Sequence, residues 1–182
     1  MKRLPFADVF TARIAGLPPE ALTYGEIPVA VAVCLLARAG VGPGARVVDL
    51  GCGRGNVLLA ARRLGATAAV GVEVLSSRAQ VAAPDLNAVG IEILVGDARA
   101  FPLTGATHIV CTWTCFDASS RAELAARLET SAPGAHIVVL TWPIDVPGFW
   151  LLARLRVPCS WGLADALIYE WRGSPDEAAC RE

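Results

Sequence analysis

The stretch VVDLGCGRGN, residues 47–56, decides how the rest of the chain is read. Two β-branched residues lead into an acid, and glycine then recurs at every second position, as Gly51, Gly53 and Gly55. From Asn56 the chain continues NVLLAARRL, with apolar residues at helical spacing. The pattern is a strand, a tight turn and a helix. Glycines in such a turn let the backbone approach a ligand closely, and the first N–H groups of the helix are left free to bind it.

Outward from this loop, strands and helices alternate. The spacing predicts strands over 46–49, 68–74, 91–95, 108–112 and 136–140, and helices over 56–64 and 119–129. A short helix from Ser76 is expected to end at Pro84. Strands rich in Val, Ile and Leu that alternate with helices form a parallel sheet covered on both faces. Before the loop, helical segments over 6–15 and 28–39 flank the break at Pro18 and Pro19. After Pro143 a short segment at 148–152 precedes strands over 153–158 and 166–171, joined by CSWGLAD. So short a connection makes that pair antiparallel. The expected fold is α/β: a Rossmann-like, doubly wound seven-stranded sheet, mostly parallel with an antiparallel C-terminal strand. Residues 1–182 are expected to form a single domain, with a helical N-terminal segment (1–40), a core (45–172) and a tail (173–182).

Composition excludes several roles. The chain has 182 residues, 54% of them apolar, yet no run of about 18 uncharged apolar residues that would span a membrane. The N-terminus lacks the apolar stretch of a signal peptide, which points to the cytoplasm. A net charge of −1 without a Lys/Arg cluster argues against nucleic acid as an electrostatic partner. The six cysteines show no CxxC pair and have two histidines for company, so no metal site is expected and most cysteines are read as buried and reduced. His108 and His136 begin strands, at the edge away from the loop, and are read as structural.

Three acids narrow the ligand. Asp49 precedes the turn, Glu73 ends the next strand, and Asp97 follows the third in VGDARAF. Dinucleotide sites use GxGxxG with a pyrophosphate at the helix N-terminus; here the spacing is GxGxG. An acid at Asp49 suits a ligand carrying an ammonium or sulfonium cation, and Glu73 is placed to accept ribose hydroxyls. The order DxGxGxG, strand-end Glu, strand-end Asp resembles the class I methyltransferases that use S-adenosylmethionine and release S-adenosylhomocysteine. The resemblance places Asp49, Gly51, Gly53, Gly55, Asn56, Glu73, Asp97 and Thr112 on the cofactor, with Asp97 at the adenine amino group.

A closer likeness rests on TYGEIP (23–28), DLGCGRGNVLLAARRLGA (49–66), AVGVEVL (69–75) and the CFD of residues 115–117. Together these are similar to the non-SET, "disruptor of telomeric silencing"-type lysine methyltransferases and to small prokaryotic protein-lysine methyltransferases. That likeness implies Tyr24 and Glu26 near the reacting centre and Phe116 as a wall of an acceptor channel; Trp113 and Trp142, which follow the fourth and fifth strands at the same edge, are further candidate walls. It departs from the family at Thr112-Trp113, where the family has an Asn-Asn pair, and it lacks the basic segment that grips nucleosomes. The implied acceptor is a protein lysine that meets a monomer or homodimer. The alternatives are a small-molecule N-, O- or C-methyltransferase, a non-catalytic cofactor-binding scaffold, and a nicotinamide-binding protein.

Overall fold

The computed structural model describes residues 25–174, with the side chains of all of these except 81–84. The helix expected over 6–15, and Tyr24, lie outside the described residues. In chain order the elements are α1 (Val29–Arg38), β1 (Arg46–Leu50), α2 (Asn56–Arg63), β2 (Ala68–Glu73), α3 (Ser76–Asn87), β3 (Ile91–Val95), β4 (His108–Cys111), α4 (Ala118–Leu128), β5 (His136–Leu140), β6 (Phe149–Cys159) and β7 (Gly162–Trp171).

The strands form one seven-stranded sheet in the order β3-β2-β1-β4-β5-β7-β6. β1 pairs in parallel with β2 on one side and β4 on the other, so the winding reverses direction at β1. β7 runs antiparallel to both β5 and β6. This is the mostly parallel sheet with an antiparallel C-terminal strand that the sequence predicts. Every residue of β4 is buried, as expected for a central strand covered on both faces. Val47, Ala69, Val110 and Val138 pack on one face against Leu35 and Leu36 of α1 and Leu58 of α2. Leu50, Ile109, Ile137 and Val139 pack on the other against Leu124 and Leu128 of α4.

Three expectations need correction. α3 does not stop at Pro84 but runs on to Asn87. Proline removes one backbone bond, yet Leu86 in the following turn is buried in the core against Gly55, and that burial holds the extra turn in place. The C-terminal pair is longer than predicted. The turn-like CSWGLAD is mostly strand, with Ser160 and Trp161 alone between β6 and β7. The cysteines are less uniformly buried than predicted: Cys52 and Cys111 are buried, Cys34 is exposed, and Cys115 and Cys159 are intermediate.

The histidines stand where the sequence puts them, side by side at the starts of β4 and β5. Both ring N–H groups donate to the Ala39 carbonyl at the end of α1, His108 Nε2 at 3.1 Å and His136 Nδ1 at 2.6 Å. Burial, and then the neighbouring His136, hold the His108 pKa below its ordinary value. Among the described residues no helix is long and apolar enough to cross a membrane.

Candidate active site

Parallel pairing brings the three acids to one edge. Asp49 is the penultimate residue of β1, Glu73 the last of β2, and Asp97 lies two residues past β3. The carboxyl ends of β1 and β4, where the winding reverses, are where open α/β sheets bind ligands. A cavity of about 260 Å³ lies there. Its walls include Glu26, Asp49, Gly51, Gly53, Asn56, Glu73, Asp97, Thr112 and Phe116.

The glycine loop forms because Gly51, Gly53 and Gly55 all take positive φ, at 79°, 54° and 79°. Any other L-residue would be strained there. The Gly51 and Cys52 N–H groups both donate to the Val72 carbonyl, at 2.9 and 3.0 Å. The Gly53 N–H donates to Glu73 Oε2 at 3.0 Å, and the Leu75 N–H donates to Oε1 at 2.9 Å. Glu73 is therefore both a wall of the cavity and the brace of the loop. A carboxylate has about four acceptor positions, so it keeps capacity for ligand hydroxyls.

Asp49 is 1% exposed, and its Oδ1 has no hydrogen-bond partner among the described residues. Burial first, and the Glu73 charge second, push its pKa up to about 8. Without a ligand it holds a proton at neutral pH, and a cation beside it would favour the carboxylate. An orphaned buried oxygen in a glycine cradle fits the cationic end of S-adenosylmethionine and is ill suited to a pyrophosphate.

Asp97 does two things at once. It lines the cavity, and its Oδ1 accepts the Arg99 N–H at 2.9 Å as the cap of a short 3₁₀ turn, Ala98–Ala100. The Arg99 guanidinium also grips Asp97 (Nη2 to Oδ2, 2.7 Å), and these bonds hold the Asp97 carboxyl below its usual range.

On the other side, Phe116 lies over the loop: a Cβ built on Gly51 would stand 3.5 Å from its ring. Two residues singled out in the sequence are placed elsewhere. Trp113, expected in an acceptor channel, is 1% exposed in the core, and its Nε1–H donates to the Trp142 carbonyl at 2.9 Å. The 3₁₀ turn Trp113–Cys115 carries it inward, while Phe116, just beyond that turn, lines the cavity. Gly55 is the cap of α2, pressed against Leu86, and does not line the cavity. The Asn56 side chain reaches away from the loop, its Nδ2 donating to the Ile27 carbonyl at 3.1 Å.

Sequence reasoning missed Arg54, Arg78, Arg99 and Ser120 in the walls, and Ser160 and Trp161, which contact the Gly25–Glu26 backbone. No spacing rule connects those last two to the loop. It also missed Thr141, which has φ 74° and bonds to Asp165 through its backbone and to Thr114 through its hydroxyl. Cys115 lines the cavity, but burial raises its pKa, so it is a neutral thiol rather than a nucleophile. Among the described residues no group of three or more His, Cys, Asp or Glu side chains could hold a metal ion.

A sheet of this order with a cation-seeking acid beside a glycine cradle defines the class I methyltransferase fold. Residues 47–132, just under half of the chain, match the family model described as a methyltransferase domain. The fold is similar to an RNA methyltransferase from Salinibacter ruber in complex with S-adenosyl-L-homocysteine, with a TM-score of 0.68 and 20% identity over 81% of this chain and 94% of that one. It is similar to TrmN from Thermus thermophilus, with a TM-score of 0.68 and 25% identity over 84% of this chain and 52% of that one. In sequence it is 29% identical over 149 residues to an uncharacterized protein of Mycobacterium tuberculosis, covering 78% of this chain and 53% of that protein. The chain thus spans about half the length of the curated relatives it matches. These likenesses share the class and do not extend to a lysine acceptor.

Proposed function

We propose that the protein transfers the methyl group of S-adenosylmethionine to a lysine side chain of another protein. The observation that carries this reading is the size and cover of the site. A cavity of about 260 Å³ is at the small end for one ligand, and the link from β5 to β6, residues 141–148, adds no cap domain. Among the described residues, such a site suits an acceptor that reaches the cofactor from outside, as a side chain on a protein surface does.

The cofactor, when bound, supplies an electrophilic methyl on a sulfonium. The chain's own part is alignment, an effect worth up to about 7–11 kcal/mol. Asp49, Glu73 and Asp97 hold the cofactor's cationic, ribose and adenine portions. Thr112 and the glycine loop with Asn56 complete that side. Phe116 walls the acceptor's approach; an apolar wall disfavours the ammonium and delivers the amine neutral. Glu26, with Tyr24 beside it in sequence, orients the amine or takes its proton.

The test is methyl-labelled S-adenosylmethionine incubated with a lysate of the source organism, with the Glu73→Ala variant as blank. Acid-precipitable label that hydrolyses to methyl-lysine supports the reading. The chain's single lysine, Lys2, makes self-methylation easy to recognise. Label confined to small molecules or to RNA overturns the lysine acceptor and keeps the class. No transfer at all favours a cofactor-binding scaffold. A small-molecule acceptor is the second reading, favoured by Thr112-Trp113 standing where the lysine enzymes carry their Asn pair.

A further inference from the structure

Residues Gly25–Ile27 run along the wall of the cavity without regular secondary structure. Two distant parts of the chain hold them. Asn56 anchors the Ile27 carbonyl from the glycine-loop side. The turn of the β6–β7 hairpin anchors Glu26 from the other side by a reciprocal pair. The Glu26 N–H donates to Ser160 Oγ at 2.8 Å, and the Ser160 N–H donates to the Glu26 carbonyl at 2.9 Å.

The neighbouring Trp161 lies directly on Gly25. A Cβ built on Gly25 would stand 2.1 Å from the indole Cε3. What calls for glycine here is space for the ring. Trp161 is 40% exposed, and packing in the core does not account for its place.

The hairpin reaches this far because it overshoots the sheet. Leu140, the last residue of β5, pairs with Ala166, so residues 162–165 of β7 continue past the carboxyl edge. At strand rise this is about 13 Å, and it brings the turn to the side of the sheet that carries the cavity.

We propose that Ser160 and Trp161 are positioning residues of the methyl-transfer site: the hairpin turn fixes the Gly25–Glu26 backbone against the cavity, and cofactor affinity depends on that hold. This rests on reading the cavity as the S-adenosylmethionine site. The physical reason is entropic. Fixing backbone costs conformational entropy; a segment already held by the hairpin has less of it to lose when the ligand binds.

The test is calorimetric affinity for S-adenosylhomocysteine, with melting curves as the check on folding. Ser160→Ala is expected to weaken binding about three- to tenfold, the worth of one hydrogen bond, and Ser160→Thr, which keeps the hydroxyl, to restore it. Gly25→Ala is expected to weaken binding about tenfold in the native background and less than about twofold in the Trp161→Ala background, where no ring opposes the new methyl. Unchanged affinity in Ser160→Ala and Trp161→Ala, or additive losses in the Gly25/Trp161 pair, would overturn the proposal. If Trp161→Ala does not fold, the Ser160→Ala and Ser160→Thr comparison decides alone. Native protein that binds no S-adenosylhomocysteine removes the cofactor reading itself, an outcome distinct from native binding that the variants leave intact.

Discussion

The two sides of the cavity are assembled in opposite ways. The acid side draws Asp49, the glycine loop, Glu73 and Asp97 from one continuous run through β1, β2 and β3. The facing side gathers Glu26, Phe116 and the hairpin turn from three separate regions of the chain. Charge and backbone hydrogen bonds shape the first; an aromatic ring and a borrowed loop shape the second. The acids that face the ligand are thus carried by near neighbours in sequence, and the wall opposite them by remote ones.

The largest effect that would break this contrast is at Asp49. Asp49→Asn is expected to remove about 2–5 kcal/mol of cofactor affinity, measured by calorimetry. The same change should relieve the ligand-free fold. The folded-state pKa of Asp49 is about 8 against an ordinary 3.8, so its stability contribution is complete below 3.8 and is lost as pH rises towards 8. The variant's melting temperature should therefore gain on the native protein between pH 5 and pH 8. An equal difference at both pH values would show that the carboxyl is ionised in the empty site.

Next in size, Phe116→Ala should lower turnover by up to about a hundredfold while cofactor affinity falls much less. Equal losses in both would move the ring to the cofactor side. The affinity for S-adenosylmethionine itself should rise between pH 6 and pH 8, by at most about tenfold per pH unit, as binding displaces the Asp49 proton. Calorimetry in two buffers of different ionisation enthalpy reads that proton directly. Smallest, Arg99→Ala should change affinity by less than about 1 kcal/mol. The Arg99–Asp97 pair is 39% and 43% exposed, and such pairs are well screened.

The same contrast explains what the sequence disclosed. The mostly parallel seven-stranded sheet, the loop and the three acids are legible because their signals are local: glycines where φ is positive, acids where apolar strands end. Trp113 and Phe116 look alike in sequence because they sit three residues apart after one strand. The turn between them sends one inward and leaves the other at the cavity, and hydropathy does not show which. Pro84 misled in the same way, since a breaker in sequence was outweighed by the burial of Leu86. In sequence, Ser160 and Trp161 read as plain turn residues. Their partner lies at Gly25–Glu26, and no periodicity in the chain links the two.

The bond from Glu26 to Ser160 joins residues 134 positions apart. In a chain made from its N-terminus, the residues of the acid side have all emerged once Asp97 has, whereas the facing side waits for the hairpin turn at residues 160–161. Loop closure of this length is entropically only slightly dearer than a closure half as long, by about 0.6 kcal/mol, but non-local contacts of this kind form slowly. The clasp over Glu26 therefore cannot close until the hairpin turn at residues 160–161 has been made.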